Sequence, residues 1–133
     1  LRPVAQLAQH VAQSDTEAVY FFGSDLPLDE PGLDALDEAL ADCTVILQGS
    51  HEGFVAELAD VILPVATHAE KAGAFVNLDG RLQRFERAFE PHGLSLPDWS
   101  WIEMLARRLR LELGALDPES LSSATLGALG IDH

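Results

Sequence analysis

Residues 59–83, ADVILPVATHAEKAGAFVNLDGRLQ, decide how this chain folds. Val61, Ile62 and Leu63 make a short apolar run that Pro64 stops, which reads as a buried strand. A polar crossing follows from Thr67 to Lys71. Gly73 then opens an alternating segment, Ala74 to Leu78, and the chain returns through Arg81, Leu82, Gln83, Arg84 and Phe85. Asp79-Gly80 between two strand-like runs signals a two-residue hairpin turn, because both turn positions favour positive φ. The prediction is strand, crossing, hairpin.

Upstream, the same kind of strand recurs. Ala18 to Phe22 is β-branched and aromatic and ends at Gly23, and Thr44 to Leu47 ends near Gln48-Gly49. Helical spacing separates them. Val4, Leu7, Ala8 and Val11 fall at i, i+3, i+4 and i+7 in a helix from Pro3 to Gln13. Leu33, Leu36, Ala39 and Leu40 give a second apolar face after Pro31, ending near Asp42, and Phe54 to Leu58 suits a short third helix. Continuous apolar strands alternating with helices predict a parallel sheet covered on both faces, with right-handed crossovers.

Downstream, Leu96-Pro97-Asp98 suits a helix start. Trp101, Met104, Leu105, Leu109 and Leu111 to Leu113 supply an apolar stripe, Arg107, Arg108 and Arg110 suit its last turns, and Gly114 suits its end. Asp117-Pro118-Glu119 suits the cap of one more helix, through about Gly127. The fold class expected is α/β: a Rossmann-like three-layer arrangement with a short parallel sheet, a β-hairpin and a C-terminal helix. Residues 1–133 are expected to form a single domain, with βα units plus hairpin over 1–95 and a helical part over 96–133.

Composition narrows the function. The net charge is −14, and its distribution is uneven: no Lys or Arg lies between Arg2 and Lys71, and the remaining cations run from Lys71 to Arg110. Nucleic acid needs clustered cations to neutralise phosphates, so nucleic-acid binding is not expected. An acidic half and a mixed half suit a solvated face and a face that meets a partner. No apolar run approaches the roughly 18 residues of a membrane span, so no direct membrane insertion is expected. The single Cys43 excludes an internal disulfide, and it cannot by itself hold a structural zinc or an iron–sulfur cluster. The chain begins at Leu1, and we read it as a piece of a longer protein.

Four places carry residue types suited to chemistry. The loops beyond the carboxyl ends of the first two strands are where an open parallel sheet binds ligands, which makes Gly23, Ser24, Gly49 and Ser50 weak cofactor-binding candidates. Neither loop is a G-x-G-x-x-G or a P-loop, and Asp25, Asp29 and Glu30 would repel a phosphate. His68-Ala69-Glu70 matches the start of a zinc-deaminase signature, but the required P-C-x-x-C is missing. Ser50-His51-Glu52 places a nucleophile, a base and an acid consecutively, which is adjacency rather than triad geometry. No catalytic residue and no metal ligand is assigned.

The fourth place is Glu70, Asn77 and Arg81. A Glu70–Arg81 bond would pin the crossing to the hairpin, so that Arg81→Ala costs roughly 1–3 kcal/mol. Asn77 suits the turn, where its side chain bonds nearby backbone. On a regular return strand Arg81, Gln83, Phe85, Arg87 and Phe89 share one face and Leu82, Arg84, Glu86 and Ala88 the other; the first mixes Arg with Phe as interfaces do.

The pattern A-D-V-I-L-P, then E-K-x-G, then N-x-D-G-R-x-Q resembles the molybdopterin-oxidoreductase family. The match rests on Ala59, Asp60, Leu63, Pro64, Glu70, Gly73, Asn77, Gly80, Arg81 and Gln83. Within that family it is most similar to the large iron–sulfur (75-kDa or G) subunit of NADH–quinone oxidoreductase, complex I. The resemblance implies a C-terminal fragment that acts as a non-catalytic scaffold, in a parent that carries electrons from NADH to quinone. The parent's iron–sulfur clusters would lie outside these residues, and no cofactor is expected within them. Its partners would be other subunits of the complex I peripheral arm and the upstream part of its own chain. The location implied is cytoplasmic, peripheral to the inner face of a bacterial membrane.

The alternative the resemblance allows is part of the cofactor-binding domain of a molybdopterin enzyme such as a formate dehydrogenase. Two departures count against it. The family's first loop looks like G-x-N-P, and here it is Gly23-Ser24-Asp25-Leu26-Pro27. The family's T-E-T-A is replaced by Gly53-Phe54-Val55-Ala56. The turn Asn77-Leu78-Asp79-Gly80-Arg81 also favours complex I, because formate dehydrogenase and nitrate reductase relatives more often lack that glycine.

Overall fold

The computed structural model describes residues 4–23, 26, 29–114 and 118–129. The fold is α/β, and the chain divides into two compact units, Leu1–Pro64 and Val65–His133.

The first unit contains α1 (Val4–Ala12), β1 (Ala18–Gly23), α2 (Leu33–Leu40), β2 (Thr44–Gly49), α3 (Phe54–Leu58) and β3 (Val61–Pro64). The three strands form a parallel sheet in the order β1-β2-β3. Apolar spacing sets the helices: Val4, Ala8 and Val11 are the buried positions of α1, and Leu33, Leu36 and Leu40 those of α2. These side chains meet Phe21 of β1, Val45 and Leu47 of β2 and Val55 of α3 in one core. The predicted Pro3 at the start of α1 lies outside the described residues.

Cover on both faces of the sheet was the expectation, and within this unit it is met on one. Val19, Phe21, Val45 and Leu47 share a face by strand alternation, and that face joins the core of α1, α2 and α3. The cause is topological. The strand order advances in one direction, so crossovers of one hand set α2 and α3 on the same side. On the opposite face Tyr20, Phe22 and Val61 are exposed, whereas Gln48 is fully buried and accepts a hydrogen bond from the Tyr20 hydroxyl.

In the second unit Val65 and Ala66 are buried, and Val65 bridges to Leu96, where the Ala66 N–H donates to the Leu96 carbonyl at 2.9 Å. A two-stranded antiparallel hairpin follows, β4 (Gly73–Val76) and β5 (Leu82–Phe85). Then come α4 (Asp98–Leu109) and α5 (Pro118–Leu129). The predicted Asp117 cap lies outside the described residues.

Three expectations for this unit need correction. The return strand stops at Phe85, because the Ala88 and Phe89 N–H groups turn to the Ala69 carbonyl instead of continuing a ladder. Arg87 and Phe89 therefore do not extend a strand face, and Arg87 pairs with Glu90. The α4 stripe is not buried: Met104, Leu105 and Leu109 are exposed, and Ala106 is the buried residue of the helix. Finally, α4 ends at Leu109 rather than Gly114. Arg110 takes the left-handed conformation (φ 57°), and the Leu111 N–H closes the end on the Ala106 carbonyl at 2.9 Å. None of the described helices is long and apolar enough to cross a membrane.

Candidate functional site

The sheet register brings two of the loop candidates together. Gly23 pairs with Gly49, and Gly49 with Pro64, so all three lie in one row at the carboxyl ends of the strands. Ser24 lies outside the described residues. Ser50 follows Gly49, and its Oγ lies 2.8 Å from His51 Nδ1. That is a local contact between neighbours in the chain on an exposed loop.

The motif of residues 59–83 is built differently, and most of it is engaged with backbone. Asp60 opens β3: its Oδ2 accepts from the Val45 N–H at 2.8 Å, while its own N–H donates to the Val45 carbonyl at 2.9 Å. This reciprocal pair docks the start of β3 on β2. Pro64 closes the same strand.

Glu70 is buried, with a relative exposure of 8%. One carboxylate oxygen, Oε2, accepts from the Thr67 N–H at 2.8 Å and the Thr67 hydroxyl at 3.0 Å. The other, Oε1, accepts from the His92 N–H at 3.1 Å. The Glu70 N–H donates back to the Thr67 carbonyl. One side chain thus ties the crossing after β3 to the segment beyond the hairpin. The Thr67 N–H holds this carboxyl below the usual carboxylate range. Burial opposes that shift, and the Thr67 hydroxyl, the His92 N–H and the charge of His92 reinforce it. A carboxylate whose folded value lies below its unfolded value stabilises the fold above the ordinary carboxylate pKa. That contribution is lost as pH falls through the lowered value.

The expected Glu70–Arg81 bond is therefore replaced. Glu70 is satisfied by Thr67 and His92, and Arg81 is exposed. The physical reason is that main-chain N–H donors are already fixed by the fold, so no long side chain need be ordered. Sequence reading missed Thr67 and His92 as the partners. Thr67-His68-Ala69-Glu70 does carry a usable signal, since it fits the S/T-x-x-E pattern in which the two residues bond reciprocally.

Asn77 serves the turn as expected. Its Oδ1 accepts from the Asp79 N–H at 3.0 Å and the Arg81 N–H at 2.9 Å. The turn itself is longer than predicted. Asn77 and Arg81 face each other through an N–H to carbonyl bond of 3.0 Å, leaving a three-residue loop, Leu78–Gly80. Gly80 alone in it has positive φ (76°), as a three-residue hairpin with a left-handed last position requires. Asn77's side chain holds the loop open by one residue relative to the two-residue form.

Gly73 answers a different need. A Cβ there would lie 2.8 Å from the Phe85 ring, which packs across the glycine and stacks on Phe75 with centroids 4.8 Å apart. Gln83, opposite Phe75 in the register, is exposed. Lys71 forms an ion pair with Asp98 at the first turn of α4.

An iron–sulfur cluster is held by several thiolates. This chain has one cysteine, Cys43, whose Sγ lies 3.2 Å from the Thr16 carbonyl oxygen and 3.7 Å from that of Ala39. No cluster of His, Cys, Asp and Glu suited to a metal ion occurs among the described residues. A pterin dinucleotide carries phosphates, whereas residues 1–64 hold one cation against twelve carboxylates, with Asp29, Glu30 and Glu52 in or beside the strand-end loops.

Comparison with known proteins agrees with the motif. The sequence profile of the family described as molybdopterin oxidoreductase matches residues 2–108. The chain belongs to the molybdopterin oxidoreductase family. A Staphylococcus haemolyticus protein named "Putative formate dehydrogenase" is 28% identical over 123 residues, covering 92% of this chain and 12% of that protein. A Staphylococcus aureus (strain USA300) protein of the same name is 27% identical over 117 residues, covering 87% of this chain and 12% of its own length. The chain thus spans about an eighth of the length of these relatives.

Proposed function

We propose that this chain is a non-catalytic scaffold of the large iron–sulfur subunit of an NADH–quinone oxidoreductase. Its parent would pass electrons from NADH to quinone through clusters held elsewhere. The observation that carries the scaffold role is the use of Asp60, Glu70 and Asn77: Asp60 Oδ2, both Glu70 carboxylate oxygens and Asn77 Oδ1 accept from backbone or from a neighbouring hydroxyl. The choice of complex I is supported by Gly80, whose positive φ fixes the Asn77–Arg81 turn, and by Asp25 and Leu26 in place of the G-x-N-P loop. On this reading the partners are the neighbouring subunits of the peripheral arm and the upstream part of the same polypeptide, and the site is cytoplasmic.

A second reading has its own support. The relatives carry a formate dehydrogenase name, which favours part of a cofactor-binding domain in a molybdopterin enzyme. Gly23, Gly49 and Ser50 at the carboxyl edge of the sheet would then be the cofactor contacts.

Metal and pterin content of the natively purified full-length protein separates the two. Iron without molybdenum, tungsten or pterin is the result expected for the complex I subunit. Stoichiometric molybdenum or tungsten with pterin would overturn it in favour of the second reading.

A further inference from the structure

We draw no further inference here: the strongest candidate, the exposed apolar side chains Phe75, Val76 and Leu78 on the β4–β5 hairpin, carries nothing because the structure does not show what covers them.

Discussion

The two units are held together by different physics. In residues 4–64 ten buried apolar side chains from three helices and two strands form one core. In the second unit the buried apolar side chains among the described residues are Val65, Ala66 and Ala106, and the hairpin exposes Phe75 and Val76. What fixes the crossing and hairpin is a set of directed contacts: the Glu70 carboxylate on Thr67 and His92, the Asn77 amide across its turn, and the Phe75–Phe85 stack over Gly73. An apolar core tolerates reshuffling if volume is kept, whereas a polar clip depends on single atoms. Six of the ten motif positions, Glu70, Gly73, Asn77, Gly80, Arg81 and Gln83, lie in this second unit.

The contrast can be broken by substitution. Leu36 is fully buried, so Leu36→Ala should cost about 3 kcal/mol in urea unfolding followed by far-ultraviolet circular dichroism. A loss below about 1 kcal/mol would mean that the core of the first unit is looser than its burial implies. Asn77→Ala removes two acceptor contacts from a half-exposed turn and should cost about 1 kcal/mol, with faster amide exchange at Asp79 and Arg81. Arg81→Ala gives the smallest effect. The side chain is exposed, so the change in stability should stay within about 0.5 kcal/mol. A larger loss would restore the Glu70–Arg81 bond that the sequence suggested.

The same division governs what was legible in the sequence. The strands of the first unit and the buried positions of α1 and α2 follow from apolar periodicity, which is written in the residues themselves. The one-sided cover of the sheet was less legible, because it follows from strand order rather than from any local run. In the second unit the hairpin was legible from Asn77 to Gly80, but its loop length was not, since Asn77's side chain competes with the turn that Asp-Gly would otherwise set. The partners of Glu70 were hidden for a plainer reason. One of them is the main-chain N–H of His92, which any residue but proline would supply, 22 positions away.

Gly23 and Gly49 were separate candidates in the sequence, and the parallel register aligns them beside Pro64. That alignment follows from the sheet and is common to parallel α/β folds, so it marks where a ligand would sit without specifying one.

Site-resolved amide exchange on wild type and Glu70→Ala is the most direct test of whether the motif holds the fold or waits for a ligand. Loss of the carboxylate should speed exchange at Thr67 and His92, and at Ala88 and Phe89 on the adjoining Ala69 carbonyl, while β1 and β2 keep their protection. Lowering the pH of the wild type through the depressed Glu70 value should reproduce the same local pattern. Unchanged exchange at Thr67 and His92 in the variant would contradict a structural role and leave Glu70 available to bind something else.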